Sequence, residues 1–305
     1  MLKKLTDICV LVFNIFLAII RAIIKIVWSP TEKSIHGEVA LVTGAGHGMG
    51  RLLAVKLARL GAKVIVVDIN RSTNFETAEI IEGSGGTAYS YTCDLSKADE
   101  IKNLAKTIKE EVGEVTMLIN NAGVVFNTDF LSLTDEMVTT TFNVNVISHF
   151  RLIREFLPDM KRKNHGHIIA MASISSGTAA PGFIDYSSSK HAVAGLMDGL
   201  RRELRWEGKN GIKTTYACPP FVTTGFVKNP QTNSSLMCPV LPPEKVVDEI
   251  MHAVLIEQPR VDIPPIGPAM LLKAILPDEV IELVFDFIKP TCKILFPKMS
   301  ENKKL

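Results

Sequence analysis

A chain of 305 residues, 47% of them hydrophobic, is long enough to fold as one large α/β domain with a full core. A formal charge of +2 supplies neither a polycationic face for a nucleic acid nor an acidic field for a basic partner. The five cysteines, Cys9, Cys93, Cys218, Cys238 and Cys292, show no C-x-x-C or paired spacing, which fits free thiols in a reducing compartment better than a disulfide framework. No metal site is expected either, because His165 and His167 simply alternate at the start of an apolar run, with no Cys or acid at ligand spacing.

Residues 8–28 are almost wholly apolar, broken by Asn14, Arg21 and Lys25. As a helix they would span about 30 Å, near the thickness of a hydrocarbon core. The uncharged part, 8–20, is short for a comfortable span, and Arg21 and Lys25 share a face from which they could snorkel. No small-x-small cleavage site precedes the polar linker Ser29-Pro30-Thr31-Glu32-Lys33. The expectation is an N-terminal hydrophobic helix within residues 1–30 that stays attached as a membrane or lipid-surface anchor. A helix packed on the protein's own domain is the alternative.

From Gly37 the chain alternates between short apolar runs and helical periodicity. Residues 38–43 read as a buried strand, followed by the glycine loop Thr43-Gly44-Ala45-Gly46-His47-Gly48-Met49-Gly50. Residues 51–60 read as a helix stopped by Gly61, and 63–68 as a second strand ending at Asp68. A third strand covers 87–93 and ends at Asp94, a helix covers 99–112, and a fourth strand, 117–120, leads into Asn121-Ala122-Gly123. A helix over 134–161, a strand over 166–172, a helix opened by Tyr186 and running to Trp206, and a strand over 212–218 complete the pattern. This alternation predicts an α/β fold, a Rossmann-type doubly wound parallel sheet in a single domain over 37–262.

The chemistry-bearing residues fall at the joints of that pattern. A glycine loop between a strand and a helix is a phosphate-binding turn: Gly44 permits the tight turn, Gly48 lets backbone approach a pyrophosphate, and Gly50 allows close helix packing, with Met49 between them. Asp68 at the end of the second strand can accept bonds from ribose hydroxyls and repels a 2′-phosphate, which favours NAD over NADP. Asp94 is placed to reach an adenine edge. Tyr186 and Lys190 stand four apart on one helix face. An ammonium beside a phenol favours the phenolate, so the Tyr186 pKa is expected to fall from about 10. That makes a proton donor and acceptor for redox chemistry at a carbonyl or alcohol.

Thr43-Gly44-x-x-x-Gly48-x-Gly50, Asp94-Leu95, Asn120-Asn121-Ala122-Gly123, Asn145, Ser173 and Tyr186-x-x-x-Lys190, in this order, resemble the short-chain dehydrogenase/reductase family, over roughly residues 37–226. The resemblance implies a catalytic set of Asn145, Ser173, Tyr186 and Lys190. Ser173 would hold the substrate oxygen, Tyr186 would exchange the proton, Lys190 would bond the nicotinamide ribose, and Asn145 would fix a relay water. Ser175 and Ser176 lie near Ser173 with poorer spacing. The cofactor would be NAD, bound through Gly44, Gly48, Met49, Gly50, Asp68, Asp94, Asn121, Tyr186, Lys190 and Thr224.

Within the family, the glycine loop, Asn164-His165-Gly166-His167-Ile168, Gly211-Ile212-Lys213-Thr214-Thr215, residues 224–230 and Cys238-Pro239-Val240-Leu241 are similar to a group of hydroxysteroid and retinol dehydrogenases. That likeness implies a hydrophobic steroid, retinol or other lipid alcohol as substrate, a homodimer, and a place on endoplasmic reticulum membrane and lipid droplets with the catalytic domain facing the cytosol. Pro219-Pro220 departs from the wider family's Pro-Gly and removes a backbone donor beside the nicotinamide. A lipid-droplet scaffold with little activity is the alternative reading, although a scaffold has no need of the four catalytic residues.

Residues 221–243, rich in proline and polar groups, are expected to form a mobile loop over the site. Residues 263–305 read as an apolar helical extension in which Val280, Ile281, Val284, Phe285 and Ile288 share one helical face, turned to the core, to a dimer partner or to a lipid surface. The terminal Lys303-Lys304-Leu305 is only loosely like a peroxisomal signal, with Lys where Ser is usual.

Overall fold

The computed structural model describes residues 7–8, 10–17, 19–20, 30–228, 230–232, 238–265, 275–288 and 291–292. It divides into two units, Met1–Lys33 and Ser34–Leu305. In the first, residues 10–17 are helical with large apolar side chains exposed, among them Leu11, Phe13 and Phe16. Among the described residues no helix is long and apolar enough to cross a membrane. Arg21, Lys25 and the Ser29 end of the linker lie outside the described residues, as do the tail from 293 and its Lys303-Lys304-Leu305.

The second unit is built on a seven-stranded sheet. Its strands are β1 (Val39–Thr43), β2 (Lys63–Asp68), β3 (Thr87–Thr92), β4 (Met117–Asn120), β5 (Gly166–Met171), β6 (Ile212–Cys218) and β7 (Arg260–Asp262), in the order β7-β6-β5-β4-β1-β2-β3. Every pairing is parallel. Parallel strands need crossovers, and the crossovers place helices on both faces. Alternation along the strands sorts the core accordingly. Ala40, Val42, Val64 and Val66 pack with Leu53, Ile81 and Ile250 on one face, while Leu41, Ile65, Val67 and Leu118 pack with Ile101, Leu152 and Val193 on the other. Burying each such side chain contributes roughly 1.5–3 kcal/mol.

The helices are α1 (Gly48–Arg59), α2 (Arg71–Gly83), α3 (Ala98–Glu111), α4 (Asp135–Phe142), α5 (Ser148–Lys163), α6 (Ile184–Trp206), α7 (Pro243–Leu255) and α8 (Asp278–Ile288). Several differ from the sequence expectation. Helix α1 starts at Gly48, inside the glycine loop, because the glycines there carry the turn and the first helical residues together. Helix α2 shows no apolar stripe, since two of its inward residues are polar: Asn74 donates to Val66 O, Ser90 Oγ and Tyr91 O at 2.9–3.0 Å, and Thr77 donates to Ala45 O at 2.9 Å. The single helix expected over 134–161 is α4 and α5 joined by a π turn, Asn143–Ile147. Helix α7 opens with Pro243 at its first turn, a position where proline's missing N–H costs nothing, although in the sequence it reads as loop. Strand β7 is three residues long with charged ends. Within the stretch 221–243, Phe221–Val222 and Val240–Leu241 pair in parallel and pinch its two ends together.

Strand β1 lies between β4 and β2, so consecutive crossovers leave it toward opposite edges of the sheet. The C-terminal ends of β1 and β4 flank that reversal, the crevice where open α/β sheets bind ligands.

Candidate active site

A cavity of about 760 Å³ opens at these strand ends. Its floor is the glycine loop. Thr43 Oγ1 accepts from Asn121 N at 3.0 Å and Ala122 N at 3.1 Å and donates to Ile119 O at 3.3 Å. Asn121 Nδ2 returns a bond to Thr43 O at 2.8 Å. The ends of β1 and β4 are thereby locked together. A Cβ on Gly50 would stand 2.0 Å from Gly44 O, so only glycine permits this approach of α1 to the loop. Gly48 adopts φ +57, and a Cβ there would meet Thr224 Cβ at 3.1 Å. Helix α1 has no acidic residue in its first turn and no side-chain cap from His47. Its first residues, Gly48, Met49 and Gly50, line the cavity. Uncapped N–H groups and the positive end of the helix dipole suit an anionic group.

Asp68 lines the cavity and accepts from Gly46 N and Asn70 N, each at 2.9 Å. Arg51 holds the opposite side of the same loop: it donates to Gly46 O at 2.7 Å and to Thr73 O at 3.2 Å, and pairs with Glu76 at 2.8 Å. The loops after β1 and β2 are thus tied at Gly46 by two charged side chains. Asp94 is absent from the cavity lining. Its carboxylate accepts from Ser96 N and Ser96 Oγ and pairs with Lys97 at 3.4 Å.

Ser173, Tyr186 and Lys190 all line the cavity. Ser173 follows β5 and caps a 3-10 turn, Ile174–Ser176, by accepting from Ser175 N at 3.1 Å. Tyr186 lies in the first turn of α6, between the rings of Phe183 and Phe226, with centroids 6.4 and 6.1 Å away. Lys190 is buried, donates to Met171 O at 2.7 Å, and stands over the Tyr186 ring 5.4 Å from its centroid. Burial pushes the Tyr186 pKa up to about 12, against the pull of its hydrogen bond with Ser173. Burial likewise brings Lys190 down to about 8. The expected fall of the Tyr186 pKa is therefore corrected. Desolvation of the phenolate is the largest influence, and the Ser173 hydrogen bond only partly offsets it.

Asn145 sits buried in the π turn, away from the cavity lining. Its Oδ1 accepts from Val124 N at 2.8 Å, and its Nδ2 donates to Val124 O at 3.0 Å and to Ser189 Oγ at 3.1 Å. Ser189 Oγ in turn donates to Tyr186 O at 2.6 Å. Of the neighbouring serines, Ser175 lines the cavity, while Ser176 Oγ turns back to Ser173 O at 2.7 Å. Thr224 lines the cavity beside Gly48.

The far wall is apolar and is the part that the motifs did not reveal. It comes from Phe183, Phe221, Phe226, Val227, Ile281 and Val284. The apolar spacing of α8 put Ile281 and Val284 on one face, and these two residues line the cavity. Among the described residues no group of three or more His, Cys, Asp or Glu side chains could hold a metal ion.

A family model for short chain dehydrogenases matches residues 38–235. The chain belongs to the short-chain dehydrogenase family. It is 39% identical over 284 residues to estradiol 17-beta-dehydrogenase 11 of Mus musculus, covering 93% of this chain and 94% of the relative. It is 36% identical over 289 residues to epidermal retinol dehydrogenase 2 of Mus musculus, covering 94% of each. A solved short chain dehydrogenase/reductase from Burkholderia phymatum, in complex with NAD, aligns with a TM-score of 0.71 and 28% identity over 82% of this chain and 96% of that one. The protein is therefore an oxidoreductase related to steroid and retinol dehydrogenases.

Proposed function

We propose that this oxidoreductase is an NAD-dependent dehydrogenase that interconverts a hydrophobic alcohol, such as a steroid, retinol or another lipid alcohol, with its carbonyl. The observation that carries the reading is one cavity with two unlike ends: glycine loop, helix N-terminus and Asp68 at one, and the apolar wall facing Ser173 and Tyr186 at the other. The donor set fits NAD. Gly44, Gly48, Met49 and Gly50 would hold the pyrophosphate, Asp68 the adenosine ribose, and Asn121, Thr224, Tyr186 and Lys190 the nicotinamide end. Asp94, in the turn after β3, would meet the adenine edge. Bound there, NAD supplies the hydride acceptor at nicotinamide C4.

The chain's own residues then do the rest. The apolar wall excludes water and holds the hydrocarbon body. Ser173 fixes the reacting oxygen and Tyr186 exchanges its proton. With its pKa pushed up to about 12, the Tyr186 hydroxyl is protonated at neutral pH and ready to donate to a carbonyl; oxidation needs the phenolate. Lys190 keeps positive charge beside the ring, and Asn145 braces the backbone of Tyr186 through Ser189.

The exposed apolar helix of residues 10–17 supports a further part of the proposal: residues 1–30 hold the enzyme on endoplasmic reticulum membrane or lipid droplets, where a poorly soluble substrate resides. The domain at 37–262, the extension at 263–305 and a homodimer complete this reading. Purified protein given NAD or NADP with estradiol, androstanediol, retinol and long-chain alcohols is the test, followed by NADH fluorescence. Turnover with NAD that disappears in Tyr186→Phe is the expected result. Intact NAD binding without turnover across the panel would move the reading to a lipid-droplet scaffold.

A further inference from the structure

The two edges of the sheet are built differently. Strand β7, at one edge, is three residues long with Arg260 and Asp262 at its ends. Short length and charge are among the devices that keep a sheet edge from pairing with other chains. Strand β3, at the other edge, has neither. Its six residues, Thr87-Ala88-Tyr89-Ser90-Tyr91-Thr92, carry no charge and no proline. They pair with β2 residue for residue, without a bulge. Threonine and tyrosine favour extended backbone. Among the described residues no strand lies along the outer edge of β3.

That edge opens into a groove of about 450 Å³. Its floor is a run of consecutive residues, Ala88 to Thr92. Neighbours along a strand point to opposite faces. Here Ala88 packs in the core on one face of the sheet, while Tyr89 and Tyr91 pack against the core on the other. A groove that touches the whole run therefore follows the backbone edge and not one face. Helix α2 supplies one wall through Arg71, Phe75, Glu79 and Glu82, a single helical stripe. Phe75 is exposed there, an apolar contact left open. The end of α3 supplies Glu111 on the other side, where its Oε2 accepts from Tyr91 Oη at 2.7 Å. Three carboxylates thus stand against one guanidinium, and they stand on both walls.

We propose that this groove docks an extended, basic segment of a partner protein, which joins the sheet as a further strand beside β3. Main-chain hydrogen bonds to the open edge give such a segment its affinity, and its alternate side chains meet the two walls. Lysine or arginine at those positions faces Glu79 and Glu82 on one side and Glu111 on the other, with the aliphatic stems laid against Phe75. The same charges disfavour a second copy of this chain as the occupant. Two-fold pairing of β3 with itself would bring both sets of carboxylates to one seam. The groove shares no lining residue with the active-site cavity, so docking here is independent of the reaction.

The test is made on the full chain in non-ionic detergent, with a fluorescein-labelled peptide that alternates lysine and valine. Two further peptides serve as controls: one with glutamate in place of lysine, and one with methylated backbone nitrogens, which keeps the charge but cannot donate to a strand. Fluorescence anisotropy gives the affinity for the wild type and for the double variant Glu79→Lys/Glu82→Lys, and hydrogen-exchange mass spectrometry locates the site. The expected result is saturable binding of the lysine peptide with slowed exchange over residues 87–92. Both control peptides, and the double variant, should bind at least about tenfold more weakly. Both substituted residues are exposed, and circular dichroism checks that the variant folds; should it not, Glu111→Gln carries the charge comparison. Absence of binding, equal binding of the methylated peptide, indifference to the charge reversal, or protection away from β3 overturns the proposal. Protection over 87–92 that needs no peptide and grows with protein concentration would put a second copy on the edge and overturn it as well.

Discussion

Lys190 Nζ stands over the face of the Tyr186 ring, 5.4 Å from its centroid, and gives a hydrogen bond to Met171 O at 2.7 Å. The cation is thus anchored to the end of β5 and presented to the aromatic face. A cation in that position binds the ring through its quadrupole while burial keeps the phenol protonated. The two groups titrate in opposite directions from their ordinary values, Tyr186 up to about 12 and Lys190 down to about 8. Groups displaced in this way mark a proton-transfer site.

The pH dependence follows from those directions. Carbonyl reduction uses protonated Tyr186 and charged Lys190, so its rate should be flat from about pH 6 to 7.5 and decline as Lys190 loses its proton near 8. Alcohol oxidation needs the Tyr186 phenolate and should gain on reduction as pH rises. The pH profile of each kcat/KM, measured separately from pH 6 to 9, checks this. Tyr186→Phe should lower both directions by a factor of about 10²–10⁴. Retention of both activities in Tyr186→Phe would rule out Tyr186 as the exchanging group.

Asp68 accepts from two backbone N–H groups and lines the cavity. Asp68→Ser should raise the KM for NAD about tenfold and narrow the preference for NAD over NADP, because the carboxylate that repels a 2′-phosphate is gone. Steady-state kinetics with both cofactors tests the point. Unchanged selectivity would place discrimination elsewhere, with the Arg51–Glu76 pair the next group to alter.

His149 is buried neutral, with its pKa down at about 3 against an ordinary 6.5. Between these values the unfolded chain binds a proton that the folded chain does not. Stability therefore rises with pH through this window and is fully restored above about 6.5. Lowering the pH from 6.5 to 5 should cost about 2 kcal/mol through this group alone. Denaturant unfolding of wild type and His149→Phe at pH 5 and 7 measures it. The variant should lose about that much less on acidification, and equal losses would refute the assignment.

Ile281 and Val284 of α8 face the cavity, while Leu283 and Phe287 of the same helix are exposed. Ile281→Ala and Val284→Ala should shift kcat/KM among alcohols of different bulk, by about 10–100-fold for substrates that touch this wall. In detergent, Leu283→Ser should leave that ranking unchanged. A ranking that responds equally to all three substitutions would mean that α8 acts only on stability.

The parts of this fold that were legible in the sequence are those where one local pattern carries one structural meaning. Val64 to Val67 read as a buried strand, and the glycines from 44 to 50, placed after the first strand, as a turn into a helix. The Tyr186-to-Lys190 spacing placed both side chains on one face. The signal failed where polar groups do the packing. Asn74 is buried with three hydrogen bonds, so α2 lacks an apolar stripe, and Pro243 disguises the start of α7. The pKa of Tyr186 was misread because a sequence shows that a charge is near, but not how deeply the phenol is buried. The apolar wall escaped notice because its members lie on segments far apart in the chain.

That last arrangement has a consequence for the order in which the protein is made. Strands β1 to β4 and the glycine loop leave the ribosome long before Ile281 and Val284 do. The half that reads the nucleotide is built from neighbours in the chain and can pair early, whereas the wall that encloses the oily part of the cavity arrives last. Until then a greasy cleft stands open to water beside a finished nucleotide crevice. A nascent chain stalled before α8 would therefore lack Ile281 and Val284 from a cavity whose other lining, Phe183, Phe221 and Phe226 included, is already made.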